Sequence, residues 1–123
     1  MLSFSTSDGT AVDGNDYTAQ TATVVTIPAV TTSVNIPIDV LGDLITEPQE
    51  TFGGTVSLTS SNTQQAVVFT KPAATYTIDD NDPATLAISG FTVNEDAGTA
   101  NFTITLSRDV QNEFTVDFST SNI

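Results

Sequence analysis

The chain has 123 residues, room for one domain with a modest core, and 38% of them are hydrophobic, too many for a disordered acidic chain. Fifteen Asp and Glu face only Lys71 and Arg108, a formal net charge of −13 that excludes nucleic acid and anionic membranes as partners, since both need clustered cations. Cys and His are absent, which excludes disulfides, thiolate or imidazole metal sites and histidine catalysis, and no stretch approaches the roughly 20 apolar residues of a membrane helix.

Thr, Val and Ile dominate, a strand composition, and apolar and polar residues alternate between clusters of Gly, Asn, Asp and Pro. In chain order the pattern predicts strands over Leu2–Ser7, Ala22–Ile27, Ser33–Val40, Gly54–Thr59, Ala73–Ile78, Thr85–Val93, Thr99–Leu106 and Phe114–Thr120. The opening Leu2-Ser3-Phe4-Ser5 reads as the middle of a strand, not as a natural N-terminus or a secretory signal. In Phe102-Thr103-Ile104-Thr105-Leu106 every second residue is apolar, so one face is buried and the other wet. Short strands at this spacing, with no window of helical periodicity, predict an all-β, immunoglobulin-like antiparallel sandwich.

An internal repeat sets the organisation. Leu2-Ser3-Phe4-Ser5-Thr6-Ser7 returns as Val116-Asp117-Phe118-Ser119-Thr120-Ser121, an offset of 114 residues between Phe4 and Phe118 with Phe-Ser-Thr-Ser identical. The chain therefore covers one repeat in a shifted register with a short overlap at its ends.

The acidic residues gather at strand ends: Asp13-Gly14-Asn15-Asp16-Tyr17, the stretch from Asp43 through Glu47 to Glu50, Asp79-Asp80-Asn81-Asp82, and Glu95-Asp96. Any one group is an ordinary solvated turn. Four together concentrate like charge that something must neutralise, and calcium suits them because it takes six to eight oxygens in flexible geometry.

These residues resemble the Calx-β domain, the immunoglobulin-like repeat of sodium–calcium exchangers, integrin β4 and large bacterial surface proteins. The resemblance covers essentially the whole chain. It rests on Thr92-Val93-Asn94-Glu95-Asp96-Ala97-Gly98, Gly14-Asn15-Asp16-Tyr17-Thr18, Glu47-Pro48-Gln49-Glu50-Thr51-Phe52 and the Asp-rich run. It implies calcium as cofactor, with Glu95, Asp16, Asp43, Glu47, Glu50, Asp80, Asn81 and Asp82 as ligands. Asn81 stands where the closing triplet often carries a third Asp, and Gly42 where an acidic pair would be completed, which implies fewer ions or weaker binding than in a regulatory sensor. Asp109 and Glu113 are expected in a turn away from these ligands.

The resemblance also implies a domain start near Ala84. Residues 1–83 are then a Calx-β domain without its first two strands, and residues 84–123 carry the first strands of the following repeat. The first and last of seven alternating strands run the same way, so folding back requires a link as long as a strand. Seven strand residues cover about 23 Å and a five-residue link barely 17 Å at roughly 3.3 Å each. The donor strands are therefore expected to enter a neighbouring copy, by strand exchange.

An enzyme is the competing class, with Glu47 and Glu50 as an acid–base pair for glycoside hydrolysis. Seven Phe and two Tyr without Trp make a poor sugar platform, and no nucleophile elbow or P-loop is present, so no catalysis is expected. Lys71 lacks an evident Asn and acid for an isopeptide cross-link, and the sequon Asn101-Phe102-Thr103 falls inside a strand. The resulting expectation is a calcium-rigidified spacer of an extracellular, bacterial surface adhesin or filament. A calcium sensor, or a module that itself binds a surface ligand, is the alternative.

Overall fold

A computed structural model describes residues 1–58 and 67–123. Its described residues form six strands, β1 Leu2–Asp8, β2 Thr23–Val25, β3 Glu50–Leu58, β4 Ala73–Ile78, β5 Leu86–Ser89 and β6 Thr103–Leu106, with one 3-10 turn at Glu95–Ala97. All strand pairs are antiparallel. The fold is thus all-β, as expected for an immunoglobulin-like Calx-β domain. Two compact units divide the chain: residues 1–43 with 49–79, and residues 44–48 with 80–123.

The first unit holds a four-stranded sheet in the order β2-β1-β3-β4. Its register sorts the side chains cleanly. Leu2, Phe4 and Thr6 stand opposite Leu58, Val56 and Gly54, and Phe52 and Gly54 stand opposite Tyr76 and Ala74. The alternate residues, Ser3, Ser5 and Ser7 with Ser57, Thr55 and Gly53, line the polar face, where the Ser3 and Ser57 hydroxyls lie 2.7 Å apart. On the apolar face Ala11, Tyr17 and Phe52 form the buried core, edged by Ala19, Ile38 and Ile78. The ring of Phe52 stacks on Tyr17 at 4.2 Å and on Tyr76 at 5.2 Å between centroids. Gly54 is required beside this stack, because a Cβ there would sit 2.7 Å from the Tyr76 ring and 3.0 Å from that of Phe4.

The second unit is built on the β5–β6 hairpin, in which Leu86 faces Leu106 and Ile88 faces Ile104. Backbone bonds from Ser107 to the Thr85 carbonyl, and from Thr85 to the Ser107 hydroxyl, close its open end. Thr46 joins this unit through bonds with Asp109 and Gln111.

Several expected elements differ. Ser33–Val40 forms no ladder. Pro37 deprives its centre of a donor, and its end instead runs beside Asp16–Thr18, with Thr18 N donating to Asp39 O and Leu41 N to Asp16 O. Phe114–Thr120 forms no strand either, although its repeat is β1. β1, by contrast, is bonded along its whole length to β3. The β5 strand stops at Ser89, because Gly90 breaks the alternation, and Glu95 starts the 3-10 turn instead of closing a strand. Thr59, the last residue of one expected strand, lies outside the described residues. Seven residues, not five, separate Ile78 from Leu86, so link length alone does not forbid a return. Asp80, Asp82 and Thr85 within that link are bonded to Glu47, Thr46 and Ser107.

Candidate metal centre

The loop after β1 is shaped by its own carboxylates. Asp8 Oδ1 accepts from the Tyr17 hydroxyl at 2.6 Å and from Asp13 N at 3.0 Å, Asp13 Oδ1 accepts from Ala19 N, and Asp16 Oδ2 accepts from Val12 N at 2.7 Å. Gly14, at φ 85°, takes the left-handed corner that this turn needs. Such Asx turns place Asp16 half-buried beside the core, next to fully buried Tyr17. Glu50 enters from the start of β3 and is 7% exposed, the one buried charged residue among those described. One carboxylate oxygen of Asp16 and one of Glu50 lie within 4.8 Å of each other. Two oxygens on opposite sides of a calcium ion are separated by about 4.8 Å, given Ca–O distances near 2.4 Å. Hard oxygen donors at this spacing fit calcium, and a pair of negative charges so close and so little hydrated is costly without a cation.

The remaining expected ligands fall in two groups. Asp43 is exposed at the end of the first unit's opening segment. In the second unit Asp80 ties a loop: its Oδ2 accepts from Glu47 N at 3.2 Å and its Oδ1 from Asp82 N at 3.0 Å. The Asp82 carbonyl accepts from the Thr46 hydroxyl, and its carboxylate pairs with Arg108. Glu47 Oε1 accepts from Gln111 Nε2 at 3.0 Å. Asn81 is exposed, as is Glu95 on the 3-10 turn. The structure therefore brings together Asp16 with Glu50 in one unit, and the Asp80–Asp82 run with the backbone of Glu47 in the other. The turn at 107–111 is not remote, as the sequence suggested, since Asp109, Gln111 and Arg108 bond to Thr46, Glu47 and Asp82.

Asp8 and Asp13 had no assigned role, yet they fix the loop that carries Asp16. The signal that marks them is turn composition, Asp-Gly-Asn-Asp after a strand-ending Asp, which speaks of backbone capping more than of metal.

Burial raises the pKa of the Tyr17 phenol above its usual 10, and the bond to the Asp8 carboxylate raises it further. A group held protonated more tightly in the folded state contributes stability that is fully present below its unfolded pKa, about 10, and lost as pH climbs through the folded value. Urea midpoints are thus expected to fall from pH 9.5 to pH 11.5, as those bounds bracket the phenol range of about 10. Tyr17→Phe should remove much of that fall while lowering stability at neutral pH by about 1 kcal/mol for the lost hydrogen bond. An identical alkaline slope in the variant would assign the fall to other groups.

An acidic, antiparallel, immunoglobulin-like β-domain with paired carboxylates beside its core defines the class. The family model described as Calx-beta domain matches residues 1–82 and again residues 79–123. The chain belongs to the Calx-beta family, whose members are non-catalytic, calcium-binding β-domains. No curated protein and no solved structure matches it. Among the described residues, no helix is long and apolar enough to cross a membrane.

Proposed function

We propose that this chain is a calcium-rigidified spacer module of an extracellular repeat array on a bacterial surface. The observation that carries the reading is the Asp16–Glu50 carboxylate pair, set beside the core of an acidic Calx-beta domain. Asp16 and Glu50 form the centre of the proposed site. Asp43 adds a carboxylate from the same unit. Glu47, Asp80, Asn81 and Asp82 form a second proposed ligand group in the other unit, and Glu95 serves the equivalent site of the repeat that follows. When bound, calcium supplies charge neutralisation and a cross-link between loops, which stiffens a module without adding chemistry. A Thr-rich, Cys-free, strongly acidic repeat suits a rod at a calcium-rich cell exterior.

Calorimetric titration with calcium tests the site. Asp43→Ala, Glu47→Ala and Asp80→Ala are each expected to weaken binding at least tenfold, the equivalent of about 1.4 kcal/mol for a lost ligand. Asp117→Ala and Glu113→Ala, which belong to none of the four acidic groups, should leave the affinity within about twofold, as surface changes do. Equal losses from both sets would reduce the effect to general acidity and remove the assigned site.

A further inference from the structure

The sheet of the first unit ends on β4, and among the described residues no strand pairs with the outer side of β4. Val56 N donates to Pro72 O, so residues 72, 74, 76 and 78 point their backbone groups at β3 in this antiparallel ladder. The backbone groups of Ala73, Thr75 and Thr77 therefore face outward, a row that can accept a further strand. The side chains divide the same way. Thr75 and Thr77 stand beside Gly53 and Thr51 on the polar face, whereas Ala74 and the 41% exposed Tyr76 stand on the apolar one. Lys71 lies on the polar side, where it shares an open hollow with Ser7, Gly53 and Thr75.

The two ends of this edge carry opposite charges, with Lys71 before the strand, Asp79 after it and Thr75 midway between them. Outward-facing groups can pair antiparallel only if odd-numbered residues of one copy meet odd-numbered residues of another. With Thr75 opposite Thr75 of a second copy, Ala73 meets Thr77 and Lys71 meets Asp79, each twice by symmetry. On the apolar face Ala74 then lies opposite Tyr76, a small residue beside a ring, and Pro72 opposite Ile78. The donor that Pro72 lacks is on the β3 side, so the new ladder loses nothing there. The adjacent registers set Lys71 against Thr77 or Asn81 and lose the charge match.

We propose that two copies of the chain join through β4 in this register, forming one continuous sheet across a two-fold axis. Backbone bonds supply the attachment, and the two Lys71–Asp79 pairs select the register and the partner. Asp79 Oδ1 accepts from Gln49 Nε2 of its own chain, which holds the carboxylate at the end of the strand. The net charges of −13 on each copy repel, but that repulsion is screened beyond about 8 Å at physiological ionic strength, whereas paired strands lie only about 4.8 Å apart. Both copies use the same edge, so the contact closes as a dimer and does not grow.

Sedimentation of the 123-residue chain at physiological ionic strength tests this directly, in chelator so that the calcium site plays no part. Mass is expected to rise with concentration toward twice that of the monomer and no further. Lys71→Glu and Asp79→Lys should each weaken the dimer about tenfold, because both cross-strand pairs become like-charged. Mixed in equal amounts, the two variants should recover the parental association, since every 71–79 pair between them is again of opposite charge. Thr75→Pro removes the outward N–H at the two-fold centre without touching a bond to β3, and should abolish the dimer. A constant monomer mass in the parent overturns the proposal. So do growth past the dimer, undiminished association in either charge variant, and no recovery on mixing the two folded variants.

Discussion

Millimolar calcium is expected to raise the melting temperature of the chain by about 10 °C over its value in chelator. The magnitude follows from linkage: a ligand at 100 times its dissociation constant that binds only the folded state contributes about 2.7 kcal/mol. For a domain of this size each kcal/mol shifts the midpoint by roughly 4 °C. Calcium would act where the folded chain concentrates negative charge, at the Asp16–Glu50 pair, whereas the unfolded chain disperses its carboxylates. The same pair makes the sign of one variant depend on the ion. Asp16→Asn keeps an oxygen that accepts from Val12 N, so the turn survives, but it removes one of two close like charges. In chelator the variant should melt slightly above the parent, and in calcium well below it, because the ion has lost a ligand. A melting temperature indifferent to calcium in the parent would end the calcium reading. An Asp16→Asn variant destabilised equally in both conditions would show that Asp16 serves only its turn.

The strands that the sequence pattern located correctly are those whose alternation and hydrogen bonding agree. β1 and β4 match their expected spans to within a residue, whereas β3 begins at Glu50, four residues before the expected start at Gly54, because Gly53 and Gly54 interrupt the alternation. The glycines look like breakers until the rings of Phe4 and Tyr76 are seen to occupy the space a side chain would take. Ser33–Val40 failed because alternation specifies a face without guaranteeing a partner. Its end found the Asp16–Thr18 loop, and Pro37 removed the donor that a ladder needed there. Phe114–Thr120 has the composition of a strand and the sequence of β1, yet it forms no ladder, so composition alone does not secure a pairing. The candidate site was legible as a set of acidic loops, and Asp16 and Glu50 do come together. What the sequence could not supply was the path of each loop. The carboxylates of Asp8 and Asp13 do backbone work that composition does not distinguish from metal binding. Asp80 divides its oxygens between Glu47 N and Asp82 N for the same reason.

Phe52→Ala is expected to destabilise the first unit by about 4 kcal/mol, the usual cost of emptying a buried Phe site. Phe52 is 4% exposed and its ring lies in a stack between Tyr17 and Tyr76, with interplanar angles of 12° and 17°. Neither neighbour can close the gap easily, because Tyr17 is tethered to Asp8 and Tyr76 is fixed in β4 opposite residue 52. Since small domains have total stabilities of only about 5–15 kcal/mol, the variant should lose roughly 15 °C in melting temperature at about 4 °C per kcal/mol. Phe118→Ala, at a ring already 52% exposed, should cost under about 1 kcal/mol because little burial is lost. The stack can be watched directly. The chain has two Tyr and no Trp, and both tyrosines flank Phe52, so near-ultraviolet circular dichroism reports on this stack. Its signal should collapse in Phe52→Ala below the melting temperature and persist in Phe118→Ala. The effect should reach the calcium site too, since Asp16 adjoins Tyr17 and Glu50 lies two residues before Phe52 in the same strand. Calcium affinity measured on the folded variant is therefore expected to fall about tenfold, through loss of the alignment that holds the two carboxylates together. Should Phe52→Ala melt within about 1 kcal/mol of the parent, with its tyrosine signal intact, the aromatic stack is not the centre of this fold.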